Sequence, residues 1–488
     1  MKNQKLFNAL TNIREDIIVQ AADHTFQTKK RFHSRRVAAI ASTLCACLLL
    51  GIFFWPASNA VNGYIIVEAA YPEMAPYPNE ENFFAEDGSW NDVAYEKEYD
   101  AWLEDQQTKQ QPEGYADGLQ SFITDSTRQF LSGSETENRV YSPINVYMAL
   151  GMLAEITDGS SRQQILDSLG NDSIDSLRQQ ASSIWMANYN DDGFFTSILS
   201  SSLWLSDTIS FKQETMQTLA DTYYASSFRG PMGSDEFNQQ LQNWLNAQTR
   251  NNLKDQTNNI QMDPDTILSI ATTVYYSAKW TNEFAESATA PDTFHALTED
   301  LTCDFMHQSS IRDYYWGEKF TAVAQTEMNG GSMLFILPNE GVSIDELLYD
   351  AETMDFILAD MSDQTWDQSE AYLVNFSVPK FDVESTLDLT SGLFQMGITD
   401  VFDPSISDFS SMTDDVADIC LSSVTHGAHF AIDEEGCEAA AYTVMMATST
   451  CAEEEIKEID FTLNRPFLFV TINSDGLPLF VGIVNQPV

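Results

Sequence analysis

Residues 433–444, DEEGCEAAAYTV, form the stretch that decides the fold of this chain. The stretch follows a strand-like run over residues 424–432, opens with acids and a glycine, and continues through small residues. It then passes into the polar stretch 447–455, ATSTCAEEE. One interpretation is a long surface loop between two strands. Loops of this length without secondary structure are uncommon and usually have a function.

This segment resembles the hinge and reactive loop of the serpins, in which an acid-x-Gly-Thr-Glu pattern is followed by alanines. The resemblance extends from about residue 115 to residue 488. Eight further motifs occur in family order: 138–144 (NRVYSPI), 273–280 (TVYYSAKW), 335–338 (FILP), 378–381 (VPKF), 397–402 (GITDVF), 408–410 (DFS), 465–469 (RPFLF) and 482–487 (GIVNQP). Each motif alone is weak evidence, but the ordered set is typical of this family.

The hydrophobic periodicity indicates a mixed fold. Helical patterns dominate the early part of the chain, for example over 147–154, and strand patterns dominate later, for example over 332–337. The chain ends in a predicted hairpin of two apolar strands, 467–472 and 479–484, joined by a turn-rich connector. Helices and strands without strict alternation predict an α+β domain. The resemblance implies a serpin fold with three β-sheets, eight to nine helices and an exposed reactive-centre loop.

The resemblance also implies a mechanism. A protease cleaves the exposed loop, and the N-terminal part of the loop inserts into the main sheet while the acylated protease is still attached. Serpins are a standard example both of strand addition and of the release of stored strain. The matching hinge residues are Glu434, Gly436, Cys437, Glu438, Ala439, Ala440 and Ala441. Cys437 stands where the family usually has threonine, but its size is compatible with insertion.

Insertion would place alternate loop side chains in a packed sheet face, because successive side chains of a strand point to opposite faces. One alternate set is small throughout: Cys437, Ala439, Ala441 and Thr443. The other set carries charge or bulk that can face outward: Glu438, Ala440, Tyr442 and Val444. Since the first set contains no proline, charge or large residue, the sequence predicts a working inhibitor.

By similarity, the reactive bond lies about seventeen residues after Glu434, at Thr450–Cys451, with the register open by two or three positions. The residues in that window are small, and none is basic. A trypsin-like protease needs a basic residue for its acidic pocket. The expected partners are therefore extracellular serine proteases, or cysteine proteases, with small elastase-like or subtilisin-like pockets. A shift of register to Met445 or Met446 would instead suit a chymotrypsin-like pocket.

In the family, a hydrogen-bonded shutter of polar residues lies under the point of insertion, and a tryptophan marks the breach where the sheet opens. The matching shutter residues are Ser142, Asn145, Thr272 and His426, and the breach residue is Trp280. Asn145 stands where serine is usual, and Thr272 stands where asparagine is usual. This exchange of amide and hydroxyl could preserve a satisfied buried network.

Enzyme motifs are missing from the sequence. There is no G-x-S-x-G nucleophile elbow, no H-E-x-x-H and no glycine-rich phosphate loop. His426 and His429 have an H-x-x-H spacing, but strand alternation places His426 on the apolar face, which favours a structural histidine over a metal ligand. Six cysteines without C-x-x-C spacing indicate neither a disulfide scaffold nor a zinc site. We expect no enzyme activity, no cofactor and no metal.

The charge balance limits the partners. The chain has 73 acidic and 24 basic residues and a formal net charge of −49. Nucleic-acid binding is disfavoured because it needs clustered Lys and Arg. Only Arg139, Arg162 and Arg178 supply positive charge between residues 139 and 200, so no sulfated polysaccharide cofactor is expected. We expect a monomer in which Cys437 and Cys451 are independent thiols rather than a disulfide.

Residues 37–55, VAAIASTLCACLLLGIFFW, are uncharged and long enough to span a bilayer as a helix. Five basic residues precede them from Lys29 to Arg36, and none follows before Lys97, so the positive-inside rule places the N-terminus in the cytoplasm. The predicted organisation is a cytoplasmic segment (1–36), a transmembrane anchor (37–55), an acidic, proline-containing, solvated extracellular stalk (56–114) and a serpin domain (115–488). Six aromatic residues of the stalk leave open the alternative that part of it packs on the domain: Phe83, Phe84, Trp90, Tyr95, Tyr99 and Trp102. A signal peptide cleaved near residues 58–60, giving a secreted protein, is the alternative.

The sequence thus predicts a bacterial, membrane-anchored inhibitor of serine-type endopeptidases that acts by suicide-substrate loop insertion. Two other functions share the fold. A non-inhibitory serpin would act as a carrier or chaperone, and the small inserting side chains disfavour it. A transmembrane sensor would transmit cleavage of the loop to the cytoplasmic segment, and deletion of residues 1–60 distinguishes it, since an inhibitor does not need them.

Overall fold

A computed structural model describes residues 63–85, 87–250, 260–359, 366–415, 419–421, 424–437 and 456–487. The predicted cytoplasmic segment and the predicted anchor lie outside the described residues. Within the described ranges, no helix is long and apolar enough to cross a membrane.

Ten α-helices occur in the described residues. They are α1 (Asp92–Thr108), α2 (Leu119–Leu131), α3 (Pro143–Ile156), α4 (Gly159–Ser168), α5 (Ile174–Asn188), α6 (Gln213–Tyr223), α7 (Asp235–Gln248), α8 (Ile344–Leu348), α9 (Ala351–Ile357) and α10 (Thr390–Gln395). Nine of them lie in the predicted serpin domain, which agrees with the expected eight to nine. The tenth, α1, lies in the segment predicted to be a stalk.

The described residues also contain seventeen strands. They are β1 (Ile65–Val67), β2 (Arg139–Tyr141), β3 (Asn190–Asp191), β4 (Thr196–Ser206), β5 (Ala225–Gly230), β6 (Leu268–Lys279), β7 (Ala290–His295), β8 (Asp300–Trp316), β9 (Phe320–Thr326), β10 (Ser332–Pro338), β11 (Ser369–Pro379), β12 (Phe381–Asp388), β13 (Thr425–Ile432), β14 (Gly436–Cys437), β15 (Glu458–Thr462), β16 (Phe467–Ile472) and β17 (Pro478–Val484).

The main sheet has the strand order β1-β5-β4-β6-β14-β13-β12, with β3 paired to β4. Among the described residues, β4 and β5 form the only parallel pair of this sheet. The two-residue strand β14 lies between β6 and β13 and pairs antiparallel with both of them. Two of the residues that the sequence identifies as the loop hinge, Gly436 and Cys437, therefore form part of the main sheet.

The second sheet has the order β15-β11-β8-β9-β10-β16-β17-β2, with β7 paired to β8. The predicted C-terminal hairpin is formed by β16 and β17, as expected. Three separate sheets were predicted, but the described strands form two. The reason is that β8 is long enough to pair with β7, β11 and β9 along its seventeen residues, so one continuous ladder joins the second and third predicted sheets.

The central helix of the fold is α3. Ser142 caps its first turn by accepting the Asn145 N–H at 3.2 Å, and Pro143 occupies the first helical position, where proline is well tolerated. Every residue of α3 is buried. A helix that is apolar on all sides belongs in the interior, and α3 packs against β6 of the main sheet and β17 of the second sheet. This position puts the N-terminus of α3 next to the middle of the main sheet.

The segment predicted to be a solvated stalk differs from that expectation over its described residues. Strand β1 pairs antiparallel with β5 and extends the main sheet by one strand. The Tyr71 ring lies 5.2 Å from the ring of Trp185 and 5.6 Å from that of Tyr189. Trp102 Nε1, on α1, donates to Asp192 at 2.9 Å. The aromatic residues of this acidic segment supply enough apolar surface to hold it on the domain.

We expect the Tyr71→Ala substitution to lower the free energy of unfolding by about 2–4 kcal/mol, because it removes a ring packed among other aromatic rings. Chemical denaturation followed by tryptophan fluorescence measures this change. Phe84→Ala is the matched control, since Phe84 lies in the same segment but is 56% exposed, and its loss should cost less than about 1 kcal/mol. Equal, small effects of both substitutions would contradict the docking of this segment.

Candidate functional site

The hinge begins with a tight turn at the end of β13. The Asp433 carboxylate accepts the N–H groups of Glu435 at 2.9 Å and Gly436 at 3.1 Å, and the Asp433 N–H donates to the Gly436 carbonyl at 2.9 Å. An aspartate that binds the backbone two and three residues ahead stabilises such a turn. The turn reverses the chain, so that Cys437 comes to lie opposite Ile432 of β13.

The turn places Gly436 and Cys437 against β6, where they pair with Lys279 and Ala278. A Cβ atom on Gly436 would lie 2.1 Å from the Ala278 carbonyl oxygen, which is far inside van der Waals contact. Glycine is therefore required at this position because the backbone of the hinge and that of β6 approach each other too closely for a side chain. The predicted hinge residues Gly436 and Cys437 lie together at the edge of β6.

Trp280 lies directly after β6 and is 1% exposed. Its backbone N–H donates to the Glu435 carbonyl at 2.9 Å, and its indole Nε1 donates to the Asp433 carbonyl at 3.0 Å. These two bonds attach the hinge turn to the end of β6. The predicted breach residue thus contacts the predicted hinge.

Glu434 forms a second attachment of the hinge turn. Its carboxylate accepts hydrogen bonds from Lys380 Nζ at 2.7 Å and from Thr289 Oγ1 at 2.7 Å, and its carbonyl accepts the Phe284 N–H at 2.9 Å. Burial raises the pKa of Glu434, but the bonds from Lys380 and Thr289 outweigh burial and hold the pKa below its ordinary value. The ionised Glu434 therefore binds the hinge to the first residues after β11 and to the segment before β7.

Sequence reasoning missed Glu327, which lies beneath the hinge. Glu327 is 2% exposed, accepts a hydrogen bond from the Tyr276 hydroxyl, and lies 3.7 Å from the Cys437 Sγ. Asn329 Nδ2 also donates to the Tyr276 hydroxyl at 3.2 Å. Burial raises the pKa of Glu327 to about 7, against the smaller opposing effect of its hydrogen bonds. A glutamate in the turn-like sequence TEMNGG gives no signal of burial, so only the register of the sheet reveals this residue.

The shutter residues Ser142 and His426 are brought together. The Ser142 N–H donates to His426 Nε2 at 3.1 Å, which places the proton of the neutral imidazole on Nδ1. His426 is buried, and its burial lowers its pKa to about 4. The histidine is therefore uncharged at neutral pH and joins the N-terminus of α3 to the start of β13. Its position on the buried face of β13 agrees with the predicted structural role.

The remaining shutter residues do not complete the predicted network. The Asn145 backbone N–H binds Ser142 Oγ, but its buried side-chain amide makes no hydrogen bond within the described residues. Thr272 lines the same small cavity as His426 without a recorded bond to it. The exchange of amide and hydroxyl therefore does not produce a fully bonded set in the described part of the chain. The predicted residues Glu438, Ala439, Ala440, Ala441, Thr450 and Cys451 lie outside it.

One cluster of side chains could supply ligands to a cation. Donor atoms of Asp382, Glu384 and His429, on β12 and β13, all lie within 4.8 Å of one another. His429 Nε2 lies 2.7 Å from Asp382 Oδ1, a distance that a hydrogen bond or ion pair accounts for. The two acids are exposed, as surface acids commonly are, and the expected absence of a metal stays a prediction.

Comparison with known proteins decides the family. A profile of the family described as Serpin (serine protease inhibitor) matches residues 117–487. The chain belongs to the serpin family. Serpins are generally protease inhibitors rather than enzymes. The profile begins within two residues of the predicted domain start at residue 115.

Two relatives agree with that assignment, and the solved structure of another serpin shares the fold. Serpin-ZX of Arabidopsis thaliana is 27% identical over 370 residues, which cover 72% of this chain and 93% of the relative. The plasma serine protease inhibitor of Mus musculus is 29% identical over 373 residues, which cover 74% of this chain and 87% of that relative. The crystal structure of the thermophilic serpin tengpin in its native state has a TM-score of 0.67 at 24% identity, covering 77% of this chain and 95% of that structure.

We expect Gly436→Ala to displace β14, because the new Cβ has no space beside Ala278, and to lower the free energy of unfolding by about 1–3 kcal/mol. Chemical denaturation measures the effect. Gly427→Ala is the matched control: Gly427 lies in β13, and its added Cβ would meet no atom within 4 Å. If both alanines were tolerated equally, the close approach of the hinge to β6 would be refuted.

Proposed function

We propose that this serpin is a suicide inhibitor of serine-type endopeptidases, in which the cleaved loop inserts between β6 and β13. The observation that carries the proposal is the position of β14. The two residues that lead into the loop already pair with both neighbouring strands, at the end of the sheet that Trp280 marks. Since one strand is nucleated there, each following residue adds to an existing ladder rather than starting a new one.

The loop composition supports insertion. Cys437, the first inserting residue, is 1% exposed, so its side chain points into the buried face of the sheet. Strand alternation then directs Ala439, Ala441 and Thr443 to the same face, where small side chains meet least resistance. The intervening positions carry Glu438 and Tyr442, whose charge and size suit the solvent side.

The target we propose is a protease with a small primary pocket. The residues around the proposed reactive bond, Thr450–Cys451, are small and uncharged up to the acids at 453–455. A trypsin-like pocket ends in a carboxylate and discriminates against such residues, whereas an elastase-like or subtilisin-like pocket accepts them. The acids that follow the bond favour a protease with basic residues beside its active site.

Incubation of the full chain with an elastase-like and with a trypsin-like protease tests the proposal. We expect a covalent complex that survives denaturing electrophoresis with the elastase-like enzyme, and a released C-terminal peptide whose mass identifies the cleaved bond. Cleavage without a complex across a broad set of proteases would refute suicide inhibition. That outcome would favour a non-inhibitory serpin, a possibility consistent with the fold-level match to human thyroxine-binding globulin, which has a TM-score of 0.65 at 22% identity.

A pair of loop variants tests the orientation of the inserted strand. We expect Ala441→Arg to abolish the covalent complex and turn the chain into a substrate, because it places a charge in the buried face. Ala440→Arg adds the same side chain at the neighbouring position, which faces solvent, and should leave the yield of complex within about twofold. Electrophoresis of both variants with the same protease gives the comparison. Equal loss in both would contradict the proposed alternation.

We also propose that residues 37–55 anchor the chain in the cell membrane, with the serpin domain outside, as suits a bacterial surface inhibitor. The uncharged length of this segment and the basic residues before it support the proposal. Fractionation of expressing cells should place the full chain in the membrane, and removal of residues 1–60 should release a chain that still inhibits. A secreted chain whose N-terminus lies near residue 60 would instead establish a signal peptide.

A further inference from the structure

Glu327 occupies an unusual place in this fold. It directly follows β9, forms a bridge to Trp280, and donates its backbone N–H to the Gly331 carbonyl at 2.9 Å. The bridge to Trp280 and the bond to Gly331 fix the backbone of Glu327, so its side chain starts from a fixed position under the hinge. The carboxyl group points into the space between β6 and β14, where Tyr276 and Cys437 contact its two oxygens.

The groups around this carboxyl are neutral donors. They are the Tyr276 hydroxyl from β6, the Cys437 thiol from β14, and Asn329 from the following turn. The charged residues of the hinge turn and of the adjacent end of β6 are Asp433, Glu434, Glu435 and Lys279; Glu434 pairs with Lys380, and Glu327 forms no ion pair within the described residues. A buried carboxylate that no cation balances is costly, so its neutral form is favoured.

The hinge strand covers this group. Cys437 is 1% exposed, and its Sγ lies 3.7 Å from one Glu327 oxygen. If β14 left its place between β6 and β13, water would reach the carboxyl from the side that Cys437 now occupies. Water stabilises the ionised form of the Glu327 carboxyl, whereas the water-free site under Cys437 favours its neutral form. Protonation of Glu327 and seating of the hinge are therefore linked equilibria.

We propose that Glu327 is the positioning residue of the hinge: Cys437 stays seated between β6 and β13 while the dry carboxyl beneath it is neutral, and ionisation of that carboxyl favours departure of β14 from its place. The first inserted residue is thus under the control of a proton. The consequence for inhibition rests on the proposed function: low pH favours the state in which β14 is in place and the inserted strand is already started. Alkali favours an unseated hinge, and hence a larger share of chains that are cleaved as substrates without trapping the protease.

The sign and size of the effect follow from the linkage. Burial raises the pKa of Glu327 to about 7 in the seated state, and exposure returns it to about 4.5. The seated state then keeps its full advantage at low pH and loses it as the pH rises through about 7. Between about pH 6 and about pH 8 the equilibrium constant for seating falls about tenfold. Two other buried groups of the main sheet do not titrate there, since the pKa of Tyr276 is raised well above its ordinary value and that of His426 is lowered to about 4.

Hydrogen–deuterium exchange of the full chain measures the seating directly. Exchange of the peptide that contains residues 434–437 is followed at about pH 6 and about pH 8 and corrected for the intrinsic pH dependence of amide exchange. We expect the protection of this peptide to fall about tenfold in the natural chain. In Glu327→Gln, which keeps the shape of the neutral group but has no titrating proton, protection should be the same at both values of pH.

Three further variants separate Glu327 from its neighbours. Cys437→Ser cannot ionise in this range, so the tenfold fall must persist in it. Glu434→Gln removes a carboxylate that is ionised throughout the range, so the fall must also persist. Tyr276→Phe removes a donor that favours the ionised form, and the midpoint should move to higher pH. This last variant keeps the proposal testable if Glu327→Gln does not fold.

Protection that does not change with pH in the natural chain would overturn the proposal. A fall that persists in Glu327→Gln, or that disappears in Cys437→Ser, would overturn it as well, because another group would then be titrating. No protease takes part in this measurement. A hinge that responds to pH in a chain that forms no covalent complex would refute the proposed function alone, and an inhibitor whose hinge ignores pH would refute this inference alone.

Discussion

The close contact between Gly436 and the backbone of β6 is the constraint on which the rest of the site depends. Because no side chain fits between the hinge and Ala278, the chain can enter the main sheet only at this glycine. The Asp433 turn brings it there, and Trp280 and Glu434 hold the turn in position. Each of these contacts is made by backbone atoms or short polar bonds, so the native fold itself fixes the geometry of the hinge.

Two buried ionisable groups, His426 and Glu327, lie in or beside the main sheet. A change of pH affects native stability in opposite senses at the two groups. His426 is kept neutral by burial, and so native stability is lost as the pH falls from about 6.5 toward about 4. Glu327 is also kept neutral by burial, but for an acid this means that stability is lost as the pH rises from about 4.5 through about 7. The interior of the main sheet thus excludes charge of either sign between β6 and β13.

Much of this arrangement was predictable from the sequence, because the hinge, breach and shutter residues occur in short motifs whose order along the chain is informative. Gly436 pairs with β6, Trp280 binds the hinge turn and His426 accepts the Ser142 N–H, while their roles as hinge, breach and shutter stay predictions. The role of Glu327 was not predictable, since its contact with Cys437 joins residues 110 positions apart through the register of three strands. The sequence left open whether Asn145 completes a bonded network, and its side-chain amide makes no hydrogen bond within the described residues. For the N-terminal segment the sequence pointed both ways: its acids and prolines favoured a solvated stalk, whereas its aromatic residues favoured packing on the domain, which the described residues show.

The docking of β1 on β5 has a consequence for association between molecules. A sheet that accepts a strand from its own chain also offers its edges to strands of other chains, and exposed edges are the usual starting point of aggregation. Strand β1 occupies one edge of the main sheet and is itself only three residues long, which leaves little ladder for a second molecule to extend. At the opposite edge, β12 carries the exposed acids Asp382 and Glu384, which repel an equally acidic neighbour. The N-terminal segment therefore also disfavours edge-to-edge association between copies of the chain.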